Sequence, residues 1–396
     1  MSTTNKGGLE GVVAGVSAIC EVDGINGKLS YRGIDVHDLV AHSTFEETAY
    51  LLWYGHLPTR PQLADLEDRL SCCRDLPMGI VRMISNFPES AEPMTVLRTA
   101  VSAMAIYDPG GTEHHHDVDL SRAILLSSRV PTIIATHHRT RQGLDPIPPR
   151  HDLGWAANFL YMISGEVPSE KFARVLDQCL IIHADHELNA STFAGRVAAA
   201  TLSDLYSALV AAIGTLAGPL HGGANERAME MLERIGDESR GVAHVQNLLA
   251  QDKKIPGFGH RVYRTEDPRA FELRKMSQML SEETGTNWFR MSKQIEDFMI
   301  AEKGINANVD FYTASVYHLM GIPTDLFTPV FAISRVVGWS AHVLEQYSNN
   351  RLIRPRADYV GLRDIPYVPM DQREEIPSEP ESKQEPSSAA WKHTER

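Results

Sequence analysis

His221 stands where a long apolar helix must end. The segment 201–217 carries apolar residues at the i, i+3, i+4, i+7 spacing of a packed helix, and Gly218 and Pro219 then interrupt it. The glycines that follow let a ligand approach the main chain, and a second helix, predicted from residue 224, directs its positive dipole end towards the junction. An imidazole at this place could stabilise an enolate or an oxyanion, or it could only close a turn between two helices.

A glycine loop with a histidine and several arginines lies in IPGFGHRVYRTEDPRA (255–270). His260 ends the loop, and Arg261, Arg264 and Arg269 follow at spacings that bring cations near one ligand. This composition is typical of a site for a multiply anionic molecule. A basic surface in contact with water has the same composition, so that alternative stays open.

Asp310 lies in the first turn of an apolar helix, NVDFYTASVYHLMG (308–321), after Asn308 as a candidate N-cap. Its carboxylate could simply favour the start of the helix. It could also act as a base, because Phe311 and Tyr312 would limit its hydration and so raise its basicity. The sequence leaves both interpretations open.

Arginines also lie near the C-terminal end of the chain. Arg335 is inside the apolar segment 329–344, where a guanidinium must bind an anion or reach water. Arg351, Arg354 and Arg356 cluster beyond that segment. With the histidines and the aspartate above, these arginines supply the groups needed to hold a small dicarboxylate and to remove a proton next to a carbonyl.

His183 and His186, in IIHADHELNASTF (181–193), share one face of a helix end. With Glu187 and the tract His114–His116 they suggest a metal-dependent hydrolase as a remote alternative. Their order and spacing differ from the H-E-x-x-H signature of zinc peptidases. We therefore expect no metal, one histidine that donates to an anionic ligand, and one that is satisfied in the core.

The composition is that of an ordinary globular protein of 396 residues, and its net charge of −13 argues against nucleic acid or an anionic membrane as a partner. The most apolar run, Ala208–Leu220, is shorter than the ~20 residues of a membrane span. The N-terminal stretch does not resemble a signal peptide, and the four cysteines lack metal-binding spacing. We expect a cytoplasmic protein with reduced thiols.

Apolar spacing predicts helices almost throughout the chain after Val36, so the predicted fold class is mainly α. Residues 9–34 alternate around glycines and predict a minor N-terminal β-hairpin. Residues 371–396 are rich in acidic residues, proline and serine, which predicts a disordered acidic tail. The predicted helices span 36–42, 45–54, 60–73, 78–85, 94–106, 118–138, 152–163, 169–185, 190–199, 201–217, 224–235, 239–250, 268–282, 286–303, 309–320 and 326–348.

Several strings occur in order along the chain: HADHELNAST, GPLHGGANE, GFGHRVYRTEDPRA, NVDFYTAS and SRVVGWSAHVLEQ, preceded by YRGI (31–34). Together they resemble the citrate synthase family over about residues 9–368. The resemblance implies an all-helical two-lobe fold. Its large lobe would comprise 1–221 and 329–370, and an inserted small lobe, 222–328, would close over the substrate.

The resemblance also implies a reaction, because His221, His260 and Asp310 match the family's catalytic residues. Asp310 would remove a proton from the methyl group of acetyl-CoA while His221 hydrogen-bonds the thioester oxygen. His260 would polarise the ketone of oxaloacetate, and hydrolysis of citryl-CoA would give citrate and CoA without a further cofactor. The base and the oxyanion donor must act together in a closed site, because an enol does not accumulate in water.

The other matches concern binding. The residues that match the family's oxaloacetate ligands are His186, Arg269, Arg335 and Arg354, the last supplied by the other subunit of a homodimer. The residues that resemble its coenzyme A site are Pro256, Gly257, Phe258, Gly259 and Arg264. Bidentate pairing with carboxylates explains why arginine rather than lysine suits the ligand positions.

Two further functions stay open beside citrate synthesis and the metal-dependent hydrolase. A 2-methylcitrate synthase, which uses propionyl-CoA, shares the same strings, and one methylene in an acyl pocket changes discrimination by only ~1–3 kcal/mol. A non-catalytic helical assembly module is favoured only weakly, by the acidic tail and the expected dimer.

Overall fold

The computed structural model describes residues 9, 12–108, 110 and 115–373. Within them the chain forms sixteen α-helices and one three-stranded sheet, so the predicted mainly α class is confirmed. The strands are β1 Cys20–Asp23, β2 Lys28–Tyr31 and β3 Ile34–Asp35. The helices are α1 Val36–His42, α2 Phe45–Tyr54, α3 Arg60–Cys72, α4 Met78–Ser85, α5 Pro93–Met104, α6 His116–Thr140, α7 Trp155–Ser164, α8 Glu170–His183, α9 Ala190–Ala199, α10 Leu205–Leu216, α11 Ala224–Ile235, α12 Gly241–Ala250, α13 Pro268–Thr284, α14 Trp288–Lys303, α15 Val309–Leu319 and α16 Phe327–Ser348.

The N-terminal sheet is antiparallel, with the strand order β1–β2–β3. Its first turn forms because the Asp23 carboxylate accepts the N–H groups of Ile25 (3.0 Å) and Asn26 (2.9 Å). Asp23 then pairs with Lys28 in the β1–β2 ladder. The predicted hairpin is confirmed, and the two-residue strand β3 extends it.

Side-chain caps set the start of many helices, as the sequence predicts for α15. The Asn308 side chain accepts the N–H of Asp310 at 3.0 Å, which satisfies one of the free donors of the first turn. The other Asp, Asn, Ser and Thr caps that accept a backbone N–H are Asp35, Thr44, Ser169, Asn189, Asp204 and Asp267. Local chemistry therefore fixes the ends of these helices.

Helix α16 lies at the centre of the core, where it packs against α2, α6, α8, α9 and α10. It is buried on all sides, as its nearly continuous apolar sequence predicts. Arg335 in its middle is only 1% exposed, and an arginine in such surroundings requires polar partners. Although α16 is long and apolar, neither it nor any other helix in the described residues has the length and apolarity to cross a membrane.

The chain divides into two compact units, Met1–Leu352 and Ile353–Arg396. The first contains all the strands and α-helices named above, and in the second the described residues, 353–373, include a short 3-10 helix, Met370–Gln372. The lobe boundaries near residues 221 and 328 stay predictions. Most of the predicted acidic tail, 374–396, lies outside the described residues.

Helix α6 starts two residues before the predicted boundary at 118, within the tract His114–His116. His116 begins α6 and His115 is exposed just before it, while His114 lies outside the described residues. The acidic residues that follow, Asp117 and Asp119, occupy the first turn of α6, where negative charge favours the helix.

Candidate active site

Two loops distant in the chain pair with each other beside the predicted site. Phe258 forms an antiparallel β-bridge with Ala307. Next to it, the N–H of Gly259 donates to the carbonyl of Asn306 at 3.0 Å. The predicted coenzyme A loop, 256–259, is therefore fixed to the segment that precedes α15.

Gly257 allows this pairing because of its conformation and its lack of a side chain. Its φ is +81°, and a Cβ at this position would lie 2.7 Å from the Cβ of Phe311. Its carbonyl accepts the N–H of Asn308 at 2.9 Å. The close contact places the loop that ends at His260 against the first turn of α15, which carries Asp310.

His260 is held by the main chain on one side and faces a cation on the other. Its Nδ1 accepts the N–H groups of Val262 (3.0 Å) and Tyr263 (3.1 Å), so the proton of the neutral ring lies on Nε2. Nε2 is 3.2 Å from Nη2 of Arg269. Burial and the charge of Arg269 lower the pKa of His260 to about 4. Two donors thus face each other, an arrangement that an anionic oxygen would satisfy.

Arg269 is fixed by a bidentate pair with Asp267. The guanidinium donates to the carboxylate at 3.0 Å from Nε and at 2.8 Å from Nη2, and both residues are at most 3% exposed. Asp267 also caps α13 by accepting the N–H of Arg269 at 3.0 Å. Burial opposes the charge of Arg269, but Asp267 raises its pKa above the ordinary value. The site therefore contains a permanent, oriented cation.

His186 packs beside His260, with ring centroids 5.3 Å apart. Its Nε2 lies 3.3 Å from the hydroxyl of Tyr263. Burial, with the charges of Arg269 and His260, holds the pKa of His186 well below its usual range. It is consequently a neutral hydrogen-bonding group at neutral pH.

His183 is buried in the core, as expected for one of the two neighbouring histidines. Its Nδ1 lies 2.7 Å from the carbonyl of Cys179, and its Nε2 lies 3.3 Å from Oγ1 of Thr313. Both ring nitrogens therefore have protein partners. Among the described residues there is no group of three histidine, cysteine, aspartate or glutamate side chains arranged to hold a metal ion.

Arg335 extends from α16 towards the same histidines. Its Nε donates to the carbonyl of His183 at 2.7 Å, and its guanidinium lies 4.6 Å from the ring centre of Phe331. Its Nη2 is buried and has no hydrogen-bond partner among the described residues. A buried cationic N–H without a partner is costly, which indicates that a ligand oxygen completes this site.

His221 lies in the turn after α10 and is oriented by Ser191. The N–H of Ser191 donates to Nε2 at 3.3 Å, so the proton of the neutral ring lies on Nδ1. The Ser191 hydroxyl lies 2.8 Å from the same nitrogen and accepts from Nε1 of Trp339 at 3.1 Å. Trp339 is four residues after Arg335 on one face of α16. Burial and the charge of Arg335 lower the pKa of His221 to about 4.

Asp310 has the basicity expected of a general base. Burial raises the pKa of its carboxyl to about 6, although the charges of Arg269 and Arg335 act in the opposite direction. The group is ionised at neutral pH but more basic than an exposed aspartate. This pKa lies close to the range in which proton transfer is efficient.

A cleft of about 240 Å³ lies beside His260. Gly259 and Arg264, two of the five predicted coenzyme A residues, line it. Arg264 has an exposed side chain, and its N–H donates to the carbonyl of Gly24 at 2.8 Å. Pro256 and Phe258 are half-buried in the loop behind the cleft. The cleft thus brings the His260 imidazole next to two residues of the predicted coenzyme A site.

Arg335 acts through its charge on several of the predicted site residues. Its charge affects the pKa values of His221, His186 and Asp310. Arg354 lies in the second compact unit, where its side chain is exposed. The catalytic and binding roles of all these residues stay predictions.

Residues 8–356 match the family model described as the citrate synthase C-terminal domain. The chain belongs to the citrate synthase family. It is 48% identical to citrate synthase 2 of Bacillus subtilis over 92% of this chain and 98% of the relative, and 43% identical to a 2-methylcitrate synthase of Shewanella oneidensis over 92% and 97%. A solved structure of citrate synthase from Thermoplasma acidophilum, described as the ternary complex with carboxymethyl coenzyme A and oxaloacetate, superimposes with a TM-score of 0.87. The two chains are 33% identical, over 92% of this chain and 98% of that chain. Membership of this family makes the protein an acyltransferase-type enzyme.

Sequence reasoning missed three residues of this citrate synthase-family site: Ser191, Tyr263 and Asp267. The string Asp-Pro at a predicted helix start is a sequence signal for Asp267, because a capping aspartate commonly precedes a proline at the first helical position. No local pattern indicates Ser191 or Tyr263. Each acts on a histidine through a contact that exists only in the folded chain.

Proposed function

We propose that the protein is a citrate synthase, which condenses acetyl-CoA with oxaloacetate and water to give citrate and CoA, as in the tricarboxylic acid cycle. The observation that carries the proposal is a set of donors that lack acceptors in the described part of the chain: Nε2–H of His260 faces Arg269 at 3.2 Å, and Nη2 of Arg335 is buried with no partner there. Such a set fits a keto acid with two carboxylates. The ligands named for the archaeal relative belong to the same chemical classes.

In the first step, Asp310 removes a proton from the methyl group of acetyl-CoA. Its pKa of about 6 makes it a stronger base than an exposed aspartate while it stays ionised at neutral pH. His221 donates its Nδ1 proton to the thioester oxygen, because Ser191 occupies Nε2. A positioned donor of this kind lowers the energy of the developing enolate.

In the second step, the enol carbon attacks the ketone of oxaloacetate. His260 donates from Nε2 to the ketone oxygen and protonates it as the new carbon–carbon bond forms. The proton that Asp310 removed from acetyl-CoA replaces the one that His260 gives up, so the enzyme returns to its starting protonation state. Arg269, Arg335 and His186 bind the oxaloacetate, the arginines pairing with its carboxylates. Water then hydrolyses citryl-CoA, and no cofactor other than the co-substrate acetyl-CoA takes part.

The coenzyme A site comprises the loop 256–259 and Arg264, in our proposal. The backbone of this loop is fixed close to His260, and Arg264 supplies an exposed cation for a phosphate. Closure of a small lobe, 222–328, over the large lobe would exclude water during enolisation. Four free cysteines support the proposed cytoplasmic location.

The active form is a homodimer in this proposal, with Arg354 of one subunit binding the oxaloacetate of the other. The assignment derives from the resemblance of the string LIRP (352–355), which contains Arg354, to the family, and the side chain is exposed and available. Mixing Arg354→Ala with His221→Ala subunits tests it, because each inactive variant supplies what the other lacks. Recovery of up to about a quarter of the wild-type sites is expected; no recovery in verified mixed dimers contradicts the assignment.

Propionyl-CoA is the alternative acyl donor, because a curated relative of similar identity is a 2-methylcitrate synthase. One methylene alters discrimination by only ~1–3 kcal/mol, so a few pocket contacts determine the choice. We measure kcat/KM for acetyl-CoA and propionyl-CoA at saturating oxaloacetate. A preference for acetyl-CoA supports citrate synthesis, and a strong preference for propionyl-CoA supports the alternative.

The overall test is thiol release from acetyl-CoA that depends on oxaloacetate, with identification of citrate as the product. Asp310→Ala and His260→Ala should each lower kcat by at least ~10²-fold while the circular dichroism spectrum is retained. Wild-type rates in either variant would remove that residue from the mechanism. Thiol release without oxaloacetate would indicate a simple thioesterase instead.

A further inference from the structure

The loop 184–187 lies directly against helix α16. At Gly338 an added Cβ would be 2.2 Å from the carbonyl oxygen of Ala184, so only glycine permits this approach. From the other side, the Tyr31 hydroxyl accepts the N–H of Asp185 at 3.3 Å and lies 3.1 Å from its carbonyl. The loop that carries His186 is therefore held between the sheet and the central helix.

A buried chain of polar side chains starts from this loop at Asp185. Oδ2 of Asp185 accepts from Nε2 of His342 at 3.2 Å and from the N–H of Glu187 at 3.1 Å. Nδ1 of His342 accepts from Nη1 of Arg196 at 3.0 Å, and the same guanidinium nitrogen donates to Glu345 at 2.6 Å. Asp185 and His342 are both fully buried. The chain thus runs from the buried Asp185 through His342 and Arg196 to Glu345, which is partly exposed.

The direction of these hydrogen bonds determines which ring nitrogen of His342 donates to Asp185. Because a guanidinium can only donate, Nδ1 must accept from Arg196, and the ring proton of neutral His342 lies on Nε2, where it faces Asp185. Burial opposes ionisation of Asp185, yet His342 and Arg335 hold its pKa below the ordinary value. Asp185 is therefore a buried carboxylate that relies on His342 as a side-chain donor.

Two proposed oxaloacetate ligands depend on the position of this loop. His186 is the residue after Asp185, and the carbonyl of His183, two residues before it, accepts from Nε of Arg335. No direct ion pair joins Asp185 and Arg335 among the described contacts, although the charge of Asp185 stabilises the guanidinium at a distance. Arg335 consequently has an Nη2 that no group in the described ranges binds and that is available for a ligand, in contrast to Arg269, which Asp267 binds directly.

We propose that Asp185 and His342 are positioning residues for oxaloacetate: their hydrogen bond holds the loop 184–187 so that His186 and Arg335 present their donors to the same ligand. This inference rests on the proposed function, because it names oxaloacetate as that ligand. Neither residue touches the substrate. Their loss therefore acts on oxaloacetate binding rather than on the proposed coenzyme A site, whose cleft is lined by residues between Gly259 and Asp267 and by the segment before α15.

The test compares His342→Leu with His342→Gln in the full chain. Leucine removes the donor to Asp185 at similar volume, whereas the glutamine amide places an N–H near the former Nε2. His137→Leu is the matched control, because His137 is also a buried helical histidine, 2% exposed, with one contact of 3.1 Å to the carbonyl of Ala91. We measure KM for oxaloacetate, KM for acetyl-CoA, kcat, and Kd for oxaloacetate by calorimetry.

His342→Leu should raise the KM and Kd for oxaloacetate by about tenfold or more, as expected for a buried carboxylate that loses a donor. The KM for acetyl-CoA should change by less than about twofold, and His342→Gln should recover most of the oxaloacetate affinity, within the usual scatter of such effects. His137→Leu should leave both KM values near wild type. If His342→Leu does not fold, the isosteric Asp185→Asn carries the same expectation.

Unchanged oxaloacetate affinity in a folded His342→Leu protein would overturn the inference, and so would equal changes in both KM values or a glutamine variant no better than leucine. These results differ from a failure of the proposed function. In that case the wild-type protein itself would show no oxaloacetate-dependent thiol release and no oxaloacetate binding.

Discussion

Replacing Gly257 by alanine tests whether close contact between two loops builds the site. The added Cβ would lie 2.7 Å from the Cβ and 2.8 Å from the Cα of Phe311, and φ is +81°. Neither neighbour can move freely, because Phe311 belongs to α15 and is fully buried. The substitution must therefore strain the backbone and push the loop away from the helix.

The expected loss in free energy of unfolding is the sum of two effects. An L-residue in the left-handed region costs roughly 1–2 kcal/mol, and overpacking against a buried neighbour costs about 1–3 kcal/mol. Gly257→Ala should thus lower the free energy of unfolding by about 2–5 kcal/mol. If the loop moves by about 1 Å instead, misplacement of His260 and Asp310 should lower kcat/KM by about 10²-fold.

Gly285→Ala is the matched control, because Gly285 has φ of +65° and nothing within 4 Å of the added Cβ. It should show only the backbone cost, about 1–2 kcal/mol, with kcat/KM unchanged. Urea denaturation and steady-state kinetics on both variants make the comparison. If Gly257→Ala is as stable as the control and fully active, the close contact does not determine the geometry of the site.

Two other predictions follow from the charges. Because Asp310 acts only as a carboxylate and burial raises its pKa to about 6, kcat/KM for acetyl-CoA should be half-maximal at about pH 6 and level off about one pH unit higher. At pH 5 it should be about tenfold lower than on the plateau. A flat profile between pH 5 and 7 would exclude this base. Asp267→Asn leaves the buried Arg269 without its counter-charge and should cost roughly 3–5 kcal/mol of unfolding free energy. The control Asp297→Asn breaks an exposed pair with Lys293 and should cost no more than about 1 kcal/mol, so equal costs would refute the argument.

The helices could be predicted from the sequence because caps and apolar spacing, which define them, depend on neighbouring residues. The cap at Asn308 and the apolar run of α16 each predict an element from adjacent residues alone. Strand β3 was not predicted, since two residues such as Ile34 and Asp35 carry no periodicity and depend on pairing with β2. Local sequence signals thus predict most of the secondary structure but not the two-residue strand β3.

The site residues could be selected from the sequence, but their arrangement could not. His221 and His260 stood out as histidines next to glycines, whereas the choice of tautomer depends on Ser191 for the first and on the turn at Val262 for the second. The aromatic neighbours of Asp310 made a more basic carboxylate one of two interpretations, and burial is the largest cause of its raised pKa. Contacts between distant segments need coordinates, because no periodic pattern encodes them.

The β-bridge between Phe258 and Ala307 also constrains how related sequences can be recombined. The two segments joined by that bridge also meet at Gly257 and Phe311, where no side chain larger than hydrogen fits at position 257, so a change in one segment must suit the other. A hybrid gene with a crossover between residues 259 and 306 would join halves from different parents at this contact. Hybrids that inherit the whole stretch from one parent should retain function more often, which gives library designers a segment to transfer intact.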